Sequence, residues 1–311
     1  MLSFFKKIFY TAQVLNKTNI KFLIYGSSGW IGGLFIKYIE DNRPDIEIIT
    51  GNARIDNKKD VMEELHHENP THVISFTGRT HGTIIENGTS IKINTIDYLE
   101  YPDKLTENIR DNLFGPLTLV DCCEKLNIHY TYIGTGCIFN NRSNESYDED
   151  DVPNFFGSNY SIVKGFTDRL MHNYDILNLR IRMPISKTPD DRNFITKITK
   201  YSKICSVKNS MTVLDDFFPI FTDLMLKQKT GTYNCTNPGV INHNNILKLY
   251  RSIVNPKFKW KNMSLKTQSK ILKSKRSNNY LDTSKIQKEY PNLMPIDKSI
   301  EHILQSYFLN V

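Results

Sequence analysis

The segment that most constrains the fold is a short apolar run that ends in glycine-rich sequence. Residues Ile20–Tyr25 are followed by Gly26-Ser27-Ser28-Gly29-Trp30-Ile31-Gly32. A short apolar run bounded by glycine predicts a buried strand of a parallel sheet, and the residues after the turn predict a helix from Trp30 to Glu40.

The three glycines of this turn have separate expected roles. Gly26 permits a tight turn, Gly29 lets the backbone approach a pyrophosphate, and Gly32 permits close packing of helix on sheet. The first helical turn, with Trp30 and Ile31, would supply amide donors to phosphate oxygens. A GxxGxxG pattern alone is weak, but between a strand and a helix it predicts a dinucleotide site.

The same alternation of strand and helix continues along the chain. Strands are predicted at Ile46–Ile49, His72–Phe76, Ile128–Ile133 and Ile176–Arg182, and helices at Lys58–Glu68, Pro102–Asn127 (with a kink at Pro116) and Ser158–Asn173 capped by Ser158. Thr83–Asp97 is polar and is predicted to be loop or partly ordered helix. The pattern is typical of an α/β fold, a Rossmann-type doubly wound parallel sheet.

The regular alternation ends near Pro184, which suggests three parts. Residues 1–19 would be an N-terminal extension, residues 20–184 an NAD(P)-binding Rossmann domain, and residues 185–311 a smaller substrate-binding region interleaved with it. The later elements are predicted as helices at Asn193–Lys203, Val213–Lys227 and Asn242–Val254 and a strand at Thr232–Cys235.

Composition excludes several classes of protein. The net charge of +7 favours anionic partners, but no basic tail or zinc-finger spacing indicates nucleic-acid binding. No apolar run approaches the roughly 20 residues of a membrane span. The five cysteines are odd in number and form no CxxC, which predicts free thiols in a reducing compartment and a cytoplasmic protein. The eight dispersed histidines predict no metal site.

Tyr160 and Lys164 carry the strongest chemical signal. Their four-residue spacing puts them on one face of a helix, where the ammonium would depress the pKa of the phenol and Lys164 would also hold the nicotinamide ribose of the cofactor. Thr135 ends the preceding strand and could orient a substrate carbonyl, to which Tyr160 would give a proton. An amphipathic helix with a surface lysine is the plain alternative. Downstream of the glycine turn, the pair predicts hydride chemistry on a nicotinamide cofactor.

Residues after the second and third strands bear on the choice of cofactor. Arg54 follows the second strand, where an arginine can meet the 2′-phosphate of NADPH. Asp56 lies nearby and keeps NADH open, and Arg54 could equally be a solvent-exposed loop residue. Thr77, at the end of the third strand, is also predicted to line the cofactor site.

Several longer segments resemble a known family. The glycine turn, Thr135 and the Tyr160–Lys164 pair resemble the extended short-chain dehydrogenase/reductase superfamily. Within it, the chain from about Lys21 onward is similar to the bifunctional UDP-4-keto-6-deoxy-D-glucose 3,5-epimerase/4-reductases of UDP-L-rhamnose synthesis. The similarity is carried by 134–139 (GTGCIF), 153–158 (PNFFGS), 182–186 (RMPIS), 192–197 (RNFITK), 209–215 (NSMTVLD), 236–239 (TNPG) and 276–279 (RSNN). The segment Arg79–Tyr101 departs from the family.

The resemblance implies roles for Cys137 and Lys197. It implies that Cys137 is the base in epimerisation and that Lys197 is the partner acid. A thiol can shuttle protons when a nearby cation favours its anion. The plain alternative is that Cys137 is a small buried hydrophobe and Lys197 a surface charge. The remaining cysteines are assigned to packing.

The resemblance also implies a nucleotide sugar as substrate, UDP-4-keto-6-deoxy-D-glucose. Arg276 could bind the diphosphate or ribose, because its fork offers paired donors to oxygen anions. Asn193 and Asn209 could bond the diphosphate or base, or could be ordinary loop polarity. Helices Pro102–Asn127 and Ser158–Asn173 often form a homodimer in the superfamily. A reductase of a dTDP- or GDP-linked sugar without epimerase activity and a non-catalytic nucleotide-binding protein remain as alternatives.

Overall fold

A computed structural model describes residues 20–140 and 145–308. At its centre is a six-stranded parallel sheet with strand order β2-β1-β3-β6-β7-β9. These strands are β1 Ile20–Tyr25, β2 Ile46–Thr50, β3 His72–Ser75, β6 His129–Thr135, β7 Leu177–Ile181 and β9 Gly231–Asn234. The predicted parallel α/β fold is confirmed. The predicted N-terminal extension of residues 1–19 lies outside the described residues.

Helices cover both faces of the sheet. The helices are α1 Trp30–Asn42, α2 Lys58–Glu68, α3 Lys104–Ile109, α4 Gly115–Lys125, α5 Asn159–Met171, α6 Phe194–Lys200, α7 Leu214–Leu226, α8 His243–Ile253, α9 Leu265–Ile271, α10 Ser284–Glu289 and α11 Ile296–Phe308. Alternate residues of β1 point to opposite faces. Phe22 and Ile24 pack with α1 and α7, whereas Leu23 and Tyr25 pack with α2 and α4. The sheet therefore has two apolar cores, as a doubly wound fold requires.

The predicted loop or helix at Thr83–Asp97 is wrong, because this segment begins with a β-hairpin. Strands β4 Gly82–Glu86 and β5 Thr89–Ile93 pair antiparallel, and a 3₁₀ helix follows at Ile96–Glu100. The turn residues Asn87 and Gly88 have φ of 51° and 74°. An Asn-Gly pair with positive φ at both positions is the preferred two-residue hairpin turn. The signal was therefore in the sequence.

The predicted long helix Pro102–Asn127 is divided. A π-helical turn, Arg110–Phe114, separates α3 from α4, and Pro116 lies in the first turn of α4. Proline has no N–H and cannot donate to the carbonyl four residues earlier, which belongs to Asn112. That carbonyl instead accepts a hydrogen bond from Thr167 Oγ1 at 2.7 Å. The interruption thus ties this helix to α5.

Residues of the C-terminal region form a third apolar core, separate from the two on the faces of the sheet. Ile195 and Ile198 of α6 pack with apolar residues of α8 and α11, and the short parallel strands β8 Lys203–Ile204 and β10 Lys261–Asn262 lie nearby. The α7 helix and β9 belong to the sheet layers, although they follow residue 184. Among residues 20–140 and 145–308, no helix has the length and apolar character of a membrane span.

Apolar side chains are exposed on the two helices for which a dimer is predicted. Leu105, Phe114 and Phe166 are each about half exposed, at 49%, 53% and 58%. A homodimer through these helices stays a prediction.

Candidate active site

The glycine turn forms a close-fitting connection between β1 and α1. Gly26 has φ +79°, and a Cβ there would lie 2.9 Å from the backbone of Phe76 and Thr77. A Cβ on Gly32 would lie 2.3 Å from the Gly26 carbonyl oxygen. Both positions therefore require glycine.

The start of α1 offers unoccupied donors. Gly29 is its N-cap and makes no side-chain cap, and no acidic residue lies in the first turn. The amides of this turn and the positive end of the helix dipole can therefore meet phosphate oxygens. Trp30 and Ile31 are partly buried against the sheet core, and the buried Trp30 Nε1 has no hydrogen-bond partner.

The strand ends beside this turn hold the other predicted cofactor residues. Thr77 Oγ1 lies 2.6 Å from Ser75 Oγ at the end of β3. The Arg54 side chain, after β2, is 60% exposed and lies 3.0 Å from Asp56 and 3.6 Å from Asp111. Arg54 is thus placed at the expected edge, where it shares both carboxylates with neighbouring arginines.

Thr135, Cys137 and Tyr160 converge at the carboxyl end of β6. Thr135 is the last residue of this strand, and its Oγ1 accepts a hydrogen bond from the Cys137 amide at 3.1 Å. The Tyr160 hydroxyl is hydrogen-bonded to the same threonine side chain. The Ser158 hydroxyl caps α5 by accepting from the Ser161 amide, as predicted. A thiol, a phenol and a hydroxyl therefore meet at one strand end.

Lys164 contacts Tyr132, and its predicted effect on the Tyr160 pKa stays a prediction. Burial raises the pKa of Tyr160, the Cys137 sulfur adds to the rise, and the Thr135 hydrogen bond opposes it. Lys164, 5% exposed, donates to the Tyr132 hydroxyl and lies 4.4 Å from the centroid of that ring. Burial lowers the pKa of Lys164 to about 7, with Asp168 opposing the shift. The ammonium is therefore held near its titration point.

One helical turn beyond Lys164, Asp168 binds a second buried cation. Its Oδ1 accepts from Arg180 Nε at 2.9 Å and its Oδ2 from Arg180 Nη2 at 2.7 Å. Asn178 Nδ2 donates to the same carboxylate at 3.0 Å. Although burial opposes the shift, these bonds hold the pKa of Asp168 below its usual range.

Cys137 lies against an arginine that the sequence analysis did not single out. Arg182 follows β7 and donates from Nη1 to Cys137 Sγ at 3.5 Å. Burial lowers the pKa of Arg182, and the sulfur opposes that shift. A charged residue at the end of the apolar run Ile176–Arg182 was the available signal. Tyr132 and Asp168 were also missed, although Asp168 continues the four-residue spacing of Tyr160 and Lys164.

Lys197 belongs to a group of positive charges at the start of the C-terminal region. It is partly buried in α6, and its pKa is lowered by burial and by the charges of Arg276 and Arg192. Arg276 Nη2 donates to Asp97 at 2.6 Å. His81, which directly precedes the unpredicted hairpin, also has a lowered pKa, caused by burial and then by Arg192 and other cations. Such a group favours an anionic ligand.

Asn193 and Asn209 are buried, and their amides bond to the protein. Asn193 caps α6 and donates to Ser186, Thr188 and Tyr307. Asn209 accepts from Arg182 and from the Asn279 amide and donates to Asn278 and Val207. These contacts account for both side chains within the fold. Their binding to substrate stays a prediction.

Comparison with known proteins identifies the family. Residues 22–201 match the model of the NAD dependent epimerase/dehydratase family. The chain is 48% identical over 292 residues to protein L780 of Acanthamoeba polyphaga mimivirus, covering 92% of this chain and 98% of L780. The crystal structure of L780, described as a UDP-rhamnose synthase, superposes with a TM-score of 0.87 and covers 93% of this chain and 99% of that one.

Two further proteins extend the comparison. The chain is 38% identical over 293 residues to a bifunctional dTDP-4-dehydrorhamnose 3,5-epimerase/reductase of Arabidopsis thaliana, covering 92% of each. The dTDP-4-dehydrorhamnose reductase of Bacillus anthracis, solved with NADP, has a TM-score of 0.76 at 18% identity and covers 94% of this chain and 100% of that one. At that identity the likeness shows the fold alone. The chain belongs to the NAD dependent epimerase/dehydratase family.

Proposed function

We propose that this enzyme converts UDP-4-keto-6-deoxy-D-glucose to UDP-L-rhamnose by 3,5-epimerisation and NADPH-dependent reduction of the 4-keto group. The observation that carries the proposal is the meeting of Cys137 and Tyr160 at Thr135. At this position, the Cys137 sulfur can remove a proton beside a substrate ketone, and the Tyr160 phenol can donate a proton to the oxygen of the same ketone. The names of the mimivirus and Arabidopsis relatives support this substrate class.

The residues at the glycine turn fit a dinucleotide. Gly26 and Gly32 allow a turn too tight for a Cβ, and the start of α1 has neither a side-chain cap nor an acidic residue, so its amides can meet phosphate oxygens. Trp30, Ile31 and Thr77 would line the cofactor, Arg54 would meet a 2′-phosphate, and NADH remains the alternative. When bound, NADPH supplies the hydride that reduces the carbonyl carbon.

Epimerisation begins at the carbons beside the ketone. The Cys137 thiolate removes the proton from C3 or C5, and the electron pair of the broken C–H bond moves onto the C4 oxygen as an enolate. Thr135 and Tyr160 hydrogen-bond that oxygen. The Lys197 ammonium then gives a proton to the opposite face of the carbon. Exchange with water restores the thiolate and the ammonium, so solvent protons enter both positions.

Reduction uses the same oxygen. When the C4 carbon is reduced, negative charge returns to its oxygen and Tyr160 donates the proton that completes the alcohol. The raised pKa of Tyr160 keeps the phenol protonated until that moment. Arg276 and its neighbouring cations would hold the diphosphate, which gives the basic group near Lys197 a binding role.

Incubation in heavy water tests both steps at once. The purified enzyme, UDP-4-keto-6-deoxy-D-glucose and NADPH should give UDP-L-rhamnose with deuterium at C3 and C5 by NMR. Cys137→Ser should keep NADPH binding and lose deuterium uptake. Tyr160→Phe should slow reduction about 10²- to 10⁴-fold while sparing exchange more. A reduced sugar without deuterium would replace the proposal with a plain reductase.

The nucleotide is tested separately, because one close relative is named for a dTDP-linked sugar. The dTDP-linked ketone should be turned over with a lower kcat/KM than the UDP-linked one. A preference for the dTDP-linked substrate would keep the reaction and change its assigned nucleotide.

A further inference from the structure

Arg182 is an almost fully buried cation whose two terminal nitrogens are hydrogen-bonded. Its side chain is 1% exposed. Nη1 donates to Gly136 O at 3.2 Å, Cys137 Sγ at 3.5 Å and Ser277 Oγ at 3.3 Å. Nη2 donates to Asn209 Oδ1 at 2.5 Å and Ser277 O at 2.7 Å. Nε is buried without a partner.

All of these oxygen acceptors are neutral. Among residues 20–140 and 145–308, no carboxylate forms an ion pair with Arg182, whereas buried Arg180 is paired with Asp168. An uncompensated buried charge is costly. Of the atoms that Arg182 contacts, only the Cys137 sulfur can take a negative charge by losing a proton at accessible pH. The site is therefore short of one anion, and the thiol can supply it.

The other ionisable groups near the sulfur do not supply a constant charge. Lys164 and Tyr160, both on α5, lie within electrostatic reach of Cys137. Lys164, with a pKa of about 7, is only partly charged at neutral pH. Burial keeps Tyr160 as a neutral phenol, so it does not repel a thiolate. An arginine stays charged throughout this range.

We propose that Arg182 is a positioning residue that holds the Cys137 sulfur in its anionic, proton-accepting form. The guanidinium stabilises the negative charge on the sulfur. Hydrogen bonds to Asn209 and Ser277 hold the guanidinium in place, so the position of the sulfur beside it is fixed as well. The inference rests on the proposed function only for the role of the Cys137 thiolate in epimerisation. The presence of the thiolate can be tested without any sugar substrate.

The test is the pH dependence of alkylation. Iodoacetamide labelling of the wild-type enzyme, followed by peptide mass spectrometry, reports each cysteine separately. Cys137 should be labelled rapidly at pH 7, because iodoacetamide reacts with the thiolate and the neighbouring Arg182 guanidinium favours that form. The four buried cysteines, Cys122, Cys123, Cys205 and Cys235, should stay unlabelled, which reports that the protein is folded during the reaction. A Cys137 rate that follows an ordinary thiol titration would overturn the proposal, and this result needs no variant.

Variants then assign the effect to the charge. Arg182→Met should move the midpoint of the Cys137 labelling profile upward by one pH unit or more and slow labelling at pH 7 about tenfold. Arg182→Lys, which keeps a positive charge, should restore part of the labelling rate. Arg169→Met, which removes an exposed arginine of α5, is the matched control and should leave the profile unchanged. An unchanged midpoint in a folded Arg182→Met protein would contradict the assignment.

The two proposals fail in different ways. If Cys137 labels as a thiolate but Cys137→Ser still takes up deuterium, the thiolate stands and its epimerase role falls. If Cys137→Ser loses deuterium uptake while the wild-type sulfur titrates as an ordinary thiol, the epimerase role stands and the role of Arg182 falls.

Discussion

Two buried arginines two residues apart have opposite electrostatic surroundings. Arg180 lies within β7, where the carboxylate of Asp168 and the amide of Asn178 complete a closed ion-pair region. Arg182 lies just beyond the strand in the cleft region, where it meets carbonyls, Ser277 and the Cys137 sulfur. Both side chains have at most 1% exposure. Burial alone therefore does not distinguish them; the difference is the presence of a counterion.

The difference separates a structural charge from a chemical one. For a buried cation, a bidentate carboxylate offsets the cost of desolvation and balances the charge. A buried cation without an anion makes its surroundings favour negative charge, which is what a proton-abstracting thiol and a developing alkoxide need. We therefore expect changes in the first region to act on stability and changes in the second to act on reactivity.

The largest expected effect is on stability, in the ion-pair region. Asp168→Asn keeps the shape of the side chain but leaves Arg180 without a counterion, so the free energy of unfolding should fall by about 3–5 kcal/mol. Urea denaturation measures this. Asp41→Asn, which removes an exposed partner of Lys37, should change it by less than about 1 kcal/mol. An equal loss of unfolding free energy in the two variants would mean that the Asp168 carboxylate is not needed to balance Arg180.

The pH dependence sharpens this result. Because the pKa of Asp168 is lowered by folding, its contribution is complete above the unfolded pKa of about 4 and is lost only as the pH falls below that value. The gap between wild type and Asp168→Asn should therefore shrink as the pH falls from about 5 to about 3. A gap that stays the same over this range would mean that folding does not lower the Asp168 pKa.

Lys164 lies one helical turn before Asp168, and Lys164→Met should have a smaller effect on stability, of the opposite sign. Folding lowers the pKa of Lys164 to about 7, so between that value and about 10.4 the unfolded chain binds the proton more strongly and wild-type stability rises with pH. Methionine removes that cost and should stabilise the protein by about 1–3 kcal/mol at pH 7, while reduction is lost.

Thermal or urea unfolding at two pH values checks the sign. The advantage of Lys164→Met should shrink as the pH rises from about 7 to about 10, because the unfolded wild-type chain gains less from its protonated lysine as the pH nears the unfolded pKa of about 10.4. A variant that is less stable at pH 7, or whose advantage is the same at both values, would mean that the hydrogen bond to Tyr132 matters more than the buried charge.

The two regions also show what sequence can and cannot predict. Spacing placed Tyr160 and Lys164 on one helix face, and strand ends placed Thr135 and Cys137 together, because both follow from local geometry. The partner of Lys164 could not be predicted, since Tyr132 comes from a strand about 30 residues earlier. Arg182 reaches Asn209 and Ser277 through contacts of 27 and 95 residues in sequence separation. The counterion that a buried charge has or lacks is a property of packing.

The smallest predicted effect concerns an exposed arginine, which completes the comparison. Arg54 has two carboxylate neighbours, yet as an exposed residue it can leave them at little cost. If it meets the 2′-phosphate, Arg54→Ala should raise the KM for NADPH about tenfold, since one charged hydrogen bond contributes roughly 1.5–3 kcal/mol before competition from Asp56 is subtracted. The KM for NADH should not change.

Asp56→Asn provides the matched control, because it removes the competing carboxylate and keeps Arg54. It should lower the KM for NADPH slightly and, if Asp56 binds the ribose hydroxyls, raise the KM for NADH. Opposite shifts in the two variants would mean that the exposed arginine selects the cofactor. Equal changes for both cofactors would make Arg54 a surface charge, and cofactor choice would then lie with the phosphate-binding turn itself. In that case, of the three arginines compared, only Arg182 would affect the reaction.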